Sequence, residues 1–228
     1  MKHNAFIFAR GGSKGLKKKN IKIFAGKPLI AHSIEQALTS GIFNNIFVST
    51  EDDEIAEISS SFGADIIHRP SALAQDDSSE WLAWRHAVLY VEKNFGLFDG
   101  FISLPPTSPL RNQADILGAV NLFEQTEKAD ICLGISESSR NPYFNMVEKS
   151  DDQSITLACK PTVPIIRRQD APIIYDITTV IYAAAPSYIK NYDGIFAGSV
   201  IGYKIPKRRA IDIDDILDFK FAEFLYDN

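Results

Sequence analysis

Near the N-terminus the run Arg10-Gly11-Gly12-Ser13-Lys14-Gly15-Leu16-Lys17-Lys18-Lys19-Asn20 carries five cations and three glycines in eleven residues. The chain as a whole is acidic, with 24 Lys and Arg against 29 Asp and Glu, so this cluster runs against the overall sign. Glycines let the backbone turn tightly and bring N–H groups close to phosphate oxygens. Arg and Lys then neutralise a polyphosphate. The run is neither a Walker loop nor a G-x-G-x-x-G dinucleotide fingerprint. Lys17 and Lys18 by themselves read as a solvated basic turn. Arg10, Ser13 and Lys14, flanked by glycine, are assigned to a triphosphate.

A second group stands near the other end, in Ala210-Ile211-Asp212-Ile213-Asp214-Asp215. In an extended segment residues two apart share a face, so Asp212 and Asp214 point the same way. Two carboxylates on one face repel unless a cation sits between them. Magnesium prefers oxygen ligands and is commonly held by one or two carboxylates plus substrate phosphates. Asp215 reads instead as the cap of the last helix. Alone an Asp-x-Asp says little; beside a phosphate loop it says cation-assisted phosphate chemistry.

The elements that must position these groups alternate. The apolar run Ala5 to Ala9 reads as a strand buried on both faces. A helix opened by Pro28 and closed by Gly41 follows, with Ile30, Ile34, Ala37 and Leu38 inward. Strands are expected at 46–50, 65–67, 101–104, 131–135, 180–182 and 200–203. Helices are expected with Asp52, Asp53 and Glu54 in the first turn of one, over 80–94, near 115–125 and over about 215–226. This rhythm predicts an α/β fold with a mostly parallel sheet, in which ligands sit at the carboxyl ends of strands. The phosphate loop lies at such an end. Between Arg140 and Ile177 the rhythm breaks into a Pro-rich, polar stretch, read as an excursion with its own hairpins and a strand at 143–147.

Composition narrows the function classes. The chain has 228 residues, 45% apolar and 23% charged, with a net charge of −5. That suits one α/β domain and provides no global basic field for nucleic acid or membrane. The apolar run after Met1-Lys2-His3-Asn4 is too short for a signal-peptide core, and no stretch has membrane-spanning length. A cytoplasmic protein is expected. Cys132 and Cys159 have no metal-ligand spacing and read as buried free thiols.

Taken in order, the motifs resemble those of the acylneuraminate cytidylyltransferases. Arg10-Gly11-Gly12-Ser13-Lys14-Gly15 with Lys19-Asn20 resembles that family's opening signature. Pro106-Thr107-Ser108-Pro109-Leu110-Arg111 resembles the central motif, and Arg167-Arg168-Gln169-Asp170 with Pro172 and Tyr175 a third. Ile211-Asp212-Ile213-Asp214, then Asp218-Phe219 and Ala222-Glu223, resembles the last. The resemblance implies a Rossmann-like nucleotidyltransferase, a single domain over 1–228, with a protruding dimerisation segment at about 140–177. It implies that Arg10, Gly11, Gly12, Ser13, Lys14, Asn20, Arg69 and Ser79 bind CTP, and that Lys19 meets its phosphates. Ser108, Pro109, Arg111, Arg168, Gln169 and Tyr175 would face the sugar, with Arg168 and Gln169 reaching a neighbouring subunit's site. Asp212 and Asp214 would hold magnesium, and Arg10, Lys14, Lys19 and Asp212 would carry catalysis. For Arg111 a helix-start salt bridge is an equal alternative.

The same resemblance has gaps. Asp176-Ile177-Thr178-Thr179 stands where the family usually has Arg followed by Asn-Gly, Pro105 replaces a common glutamine, and Glu80 replaces a hydroxyl residue. The nucleotide half is intact and the sugar half altered, which points to a 2-keto-3-deoxy sugar acid other than ordinary N-acetylneuraminate. The expected reaction is transfer of CMP from CTP to that acid with release of pyrophosphate. A glycosyltransferase with an Asp-x-Asp motif and a non-catalytic CTP-binding module are the competing readings.

Overall fold

The computed structural model describes residues 1–12 and 15–228. Among the described residues eleven strands, six α-helices and four short 3-10 turns follow one another. The main units are β1 (His3–Phe8), β2 (Ile23–Phe24), β3 (Lys27–Pro28), α1 (Leu29–Ser40), β4 (Phe43–Thr50), α2 (Asp53–Ser61), β5 (Asp65–His68), α3 (Glu80–Phe95) and β6 (Gly100–Ser103). Then come α4 (Gln113–Gln125), β7 (Ile131–Glu137), β8 (Val147–Lys149), β9 (Ile155–Leu157), β10 (Tyr175–Ala184), α5 (Pro186–Asn191), β11 (Val200–Lys204) and α6 (Ile216–Asp227).

Seven strands form one sheet in the order β11-β7-β10-β6-β1-β4-β5. All neighbours are parallel except β10, which runs antiparallel to both β6 and β7. From β1 the chain winds outward through β4 and β5, then returns to place β6 on β1's other side. The β1–β6 boundary is therefore a switch point, where a crevice opens beyond the strand ends.

Alternation along the strands sorts the core. On β1, Ala5 and Ile7 join the apolar cluster that includes Ile30 and Ile34 of α1, Ile55 of α2 and Ile116 of α4. Phe6 belongs to the other side, with Trp81 and Trp84 of α3 and Ile189 of α5. There its ring lies 4.5 Å from Phe101 and 5.5 Å from Phe47. Each such buried ring or branched chain contributes about 1.5–3 kcal/mol. A third, smaller cluster fastens α6, through Phe219 and Ala222, to Phe24, Leu29 and Ile213. That cluster holds the acidic segment in place.

Helix ends follow local chemistry. Gly41 takes φ +70 to close α1, a conformation L side chains rarely adopt. Asp52 caps α2 rather than entering it, accepting from Ile55 N. Asn112 and Asp115 form a capping box that starts α4 two residues earlier than the sequence suggested. Asp215 caps α6 as expected, in a second box with Asp218.

Three expectations change. Residues 143–145 turn rather than extend, because Asn141 gathers them: its carbonyl accepts from Phe144, Asn145 and Met146 N, and its side chain from Tyr143 N. The hairpin in this stretch starts later, pairing Val147–Lys149 with Ile155–Leu157. Strand β10 begins at Tyr175, where exposed polar residues mask the apolar signal. Of the two thiols only Cys132 is buried; burial pushes it up to about 11, so it stays protonated, while Cys159 is partly exposed. Among the described residues no helix is long and apolar enough to cross a membrane.

Candidate active site

A cavity of about 570 Å³ opens at the β1–β6 switch point. Phe8, Arg10, Gly15, Lys19 and Asn20 line it from the β1 side, and Pro105, Pro106 and Thr107 from the end of β6. Arg69 and Glu80 come from the β5–α3 side, Thr179 and Tyr182 from β10, and Asp212 and Asp214 from the segment before α6. Groups near both ends of the chain thus face one space.

The glycine-rich loop is tied at several points. Asn20, buried, donates through Nδ2 to Arg10 O at 3.0 Å, closing the loop on itself. Gly11 N donates to Glu51 Oε1 at 2.8 Å, and Glu51 Oε2 accepts from Arg69 Nη2 at 2.7 Å. Glu51 therefore links the loop to a buried arginine on the cavity wall. Arg10 pairs with Asp76 at 2.7 Å. Gly12 sits in open space. Ser13 and Lys14 lie outside the described residues. Lys18 pairs with Glu54, matching its reading as a surface turn.

Lys19 connects this loop to the acidic segment. Its Nζ donates to Ile213 O at 2.6 Å and to Asp214 Oδ1 at 3.2 Å. Gly15 packs so closely on the Asp214 carbonyl that an added Cβ would collide with backbone. If the loop holds CTP, as the resemblance implies, Gly15→Ala is accordingly expected to raise the KM for CTP roughly tenfold, about 1.4 kcal/mol. A titration of rate against CTP concentration reads this, and an unaltered KM would show that the contact yields freely.

Asp212 and Asp214 both line the cavity from a segment that belongs to no helix or strand, with Ile213 buried between them. Ile213 N donates to Thr107 O at 2.9 Å, which stitches the segment to the β6 loop. Asp212 Oδ1 is buried with no hydrogen-bond partner among the described residues. Burial lifts the Asp212 carboxyl above its ordinary range, hydrogen bonding from Thr107 opposes this, and the charge of Asp214 adds to it. An unsatisfied carboxylate oxygen in a low-dielectric wall is costly. It suits a hard cation, and two carboxylates leave positions for phosphate oxygens. No group of three or more metal-binding side chains occurs among the described residues, so substrate would have to supply the rest.

The remaining expected residues separate. Ser108 is fully buried and hydrogen-bonds Thr179 Oγ1 at 2.8 Å. Pro109 turns away, its carbonyl accepting from Gln36. Arg111 does not line the cavity that holds Asp212, but a separate concavity with Gln36 and Pro109, and it is not the helix-start salt bridge. It is buried, donating to Gln36 Oε1, Ser33 Oγ and the carbonyls of Pro105 and Val180. The salt bridge at the start of α4 is made by Arg209 with Asp115 instead. Ser79 is the exposed residue preceding α3; its neighbours Ser78 and Glu80 line the cavity. Arg168 and Gln169 lie beside Ser138, Arg140 and Asn141 in a separate concavity, and Tyr175 lies outside the main cavity.

Sequence reading missed Glu51, Thr107, Thr179 and Tyr182 as site residues. Glu51 carried a usable signal, an acid directly after a strand that flanks the phosphate loop. Glu80 was visible only as an oddity. Its carboxyl accepts from Trp84 Nε1 at 3.1 Å, and although the residue retains exposed surface, the surrounding cavity wall raises its pKa.

A cytidylyltransferase family model matches residues 5–188. The chain belongs to that family. This cytidylyltransferase is 35% identical over 221 residues to a CMP-N,N'-diacetyllegionaminic acid synthase of Campylobacter jejuni, covering 96% of this chain and 92% of that one. It is 32% identical to an N-acylneuraminate cytidylyltransferase of Escherichia coli, covering 96% of this chain but half of that longer protein. Its fold matches a CMP:2-keto-3-deoxy-manno-octonic acid synthetase complexed with CTP, at TM-score 0.75 and 17% identity, over 100% and 99% of the two chains. Membership sets aside the glycosyltransferase reading.

Proposed function

We propose that this cytidylyltransferase joins CMP to a 2-keto-3-deoxy sugar acid of the sialic-acid type. The observation that carries the reading is the meeting, in one cavity, of the glycine-flanked basic loop and the Asp212–Asp214 pair. The anomeric hydroxyl oxygen of the sugar acid forms a bond to the α-phosphorus of CTP and gives up its proton to solvent water. The bond from that phosphorus to the bridging oxygen breaks, and pyrophosphate leaves with the electron pair. Such a transfer asks the protein mainly for positioning and charge stabilisation. Arg10, Lys14 and Lys19 bind the triphosphate, and Asn20 keeps the loop closed around it. Arg69, fixed by Glu51, borders the nucleotide. Asp212 and Asp214 would hold magnesium, which when bound screens the developing charge on the leaving pyrophosphate.

The altered sugar side, with Pro105, Glu80 and Thr179 on the wall, supports a nonulosonic or octulosonic acid other than ordinary N-acetylneuraminate. A second copy of the chain would complete that side. The segment 140–177 exposes Val163, Ile166 and Ile173 at 71–85% of their surface, apolar area that a homodimer would cover, and Arg168 and Gln169 stand beside it. Light scattering is expected to give twice the monomer mass. The reaction is tested by pyrophosphate release from CTP and magnesium across a panel of legionaminic, pseudaminic, N-acetylneuraminic and amino-octulosonic acids. Release with one of the non-neuraminate acids is the expected result. CTP binding without release on any acid would overturn the reading in favour of a binding module.

A further inference from the structure

Glu51 stands just past the carboxyl end of β4, and two N–H donors from different parts of the chain converge on it. Gly11 N, in the loop after β1, donates to Oε1 at 2.8 Å. Arg69 Nη2, immediately after β5, donates to Oε2 at 2.7 Å. The same Arg69 nitrogen donates to Ala9 O at 3.4 Å, and Asn20 Nδ2 donates to Arg10 O at 3.0 Å. The carbonyl before Arg10, its own carbonyl and the N–H that follows are thus all held. Peptide units are planar, so these contacts fix the planes on both sides of Arg10 and the direction in which its side chain leaves the backbone. The corner that carries Glu51 is itself tied down. Arg69 N donates to Thr50 O at 2.9 Å, and Asp52, which caps α2, donates through its N–H to Thr50 Oγ1 at 3.1 Å. The loop packs directly on this corner: a Cβ at Gly11 would meet Asp52 Oδ2 at 2.3 Å.

We propose that Glu51 is a positioning residue, whose two carboxylate oxygens hold Gly11 and Arg69 together and so aim Arg10 at the triphosphate of CTP. The inference rests on the reading of the Arg10–Asn20 loop as the triphosphate site. Both partners of Glu51 are donors, so both of its terminal atoms must accept. A carboxylate has two acceptor oxygens, whereas a carboxamide has one, and its NH₂ would face a second donor. Glutamine has the same shape and therefore cannot replace it. The side chains of Glu51 and Arg69 keep only 18% and 6% of their surface exposed, so water competes little for their contact. The hold acts on backbone groups. It stays in force whether the Arg10 side chain pairs with Asp76 or with phosphate.

The test is calorimetric titration of CTP and of CMP, each with magnesium. CMP lacks the two outer phosphates, so a loss that falls on CTP reports the loop and not a general loosening of the fold. Glu51→Gln is expected to weaken CTP about tenfold, the cost of one hydrogen bond to a charged group, and CMP by no more than about twofold. Glu51→Asp keeps both acceptors but sets them back by one methylene. It is expected to lose about threefold for CTP alone, and it carries the test if the glutamine chain does not fold. In an Arg10→Met chain the side chain being aimed is gone, so adding Glu51→Gln is expected to cost less than about threefold. Native CTP affinity in Glu51→Gln, equal losses for CTP and CMP, or full additivity with Arg10→Met would overturn the inference. Arg10→Met also separates the two levels. If it weakens CTP and Glu51→Gln does not, the positioning role alone falls; if it leaves CTP affinity native, the loop assignment falls and takes the inference with it.

Discussion

Asp212→Asn is expected to lower the rate of pyrophosphate release on the order of 10³-fold, while CTP still binds. The substitution keeps size and hydrogen-bonding shape but removes the charge at a site carboxylate that, among the described residues, has a buried, unpartnered oxygen. Losing a single group that stabilises developing charge costs about 10²–10³ in rate, and a carboxylate holding a cation belongs at the upper end. Binding is expected to persist because the other groups proposed to hold the nucleotide, Arg10, Lys19, Asn20 and Arg69, also line the cavity. Asp214→Asn is expected to lose less, since its side chain is 79% exposed and already paired with Lys19. Coupled pyrophosphate assays and calorimetric CTP titration check both halves. An Asp212→Asn enzyme within tenfold of native would remove Asp212 from the mechanism.

Arg111→Met is expected to cost about 3–5 kcal/mol of stability, the range for removing one partner from a buried charged network. For a chain of this size that lowers Tm by roughly 10 °C. The guanidinium donates to Ser33, Gln36, Pro105 and Val180 from three parts of the fold. Deleting it leaves buried acceptors unmet. Burial works against its charge, and Asp115 supports it. Denaturant unfolding of the native and Met chains measures the loss. A residue that contacts the sugar would behave oppositely, raising the KM for the acid at constant Tm. That outcome would restore Arg111 to the substrate.

The two substitutions show how unevenly the site could be read. The loop Arg10–Asn20 and the pair Asp212–Asp214 were legible because their chemistry is local: glycines beside cations, and carboxylates two apart, need no knowledge of neighbours. The acidic cap Asp215 was legible for the same reason, since capping acts within one turn. Arg111 was not, because whether an arginine meets substrate or backbone carbonyls depends on segments up to 78 residues away. Thr179 showed only as part of a departure from the family pattern, with no role read for its hydroxyl. Its place follows from a register break that Gly134 permits on another strand.

Hydropathy rhythm alone determined the α/β class, the strand that feeds the phosphate loop and the break at 140–177. Period-2 and period-3.6 burial are imposed within each element, so they are written in each element's own residues. Tertiary structure decided that β10 runs antiparallel between β6 and β7. It also decided that Lys19 reaches Ile213 and Asp214, and that Glu51 holds both Gly11 and Arg69. Those pairings join residues far apart in sequence, where no local propensity acts and only packing selects the partner.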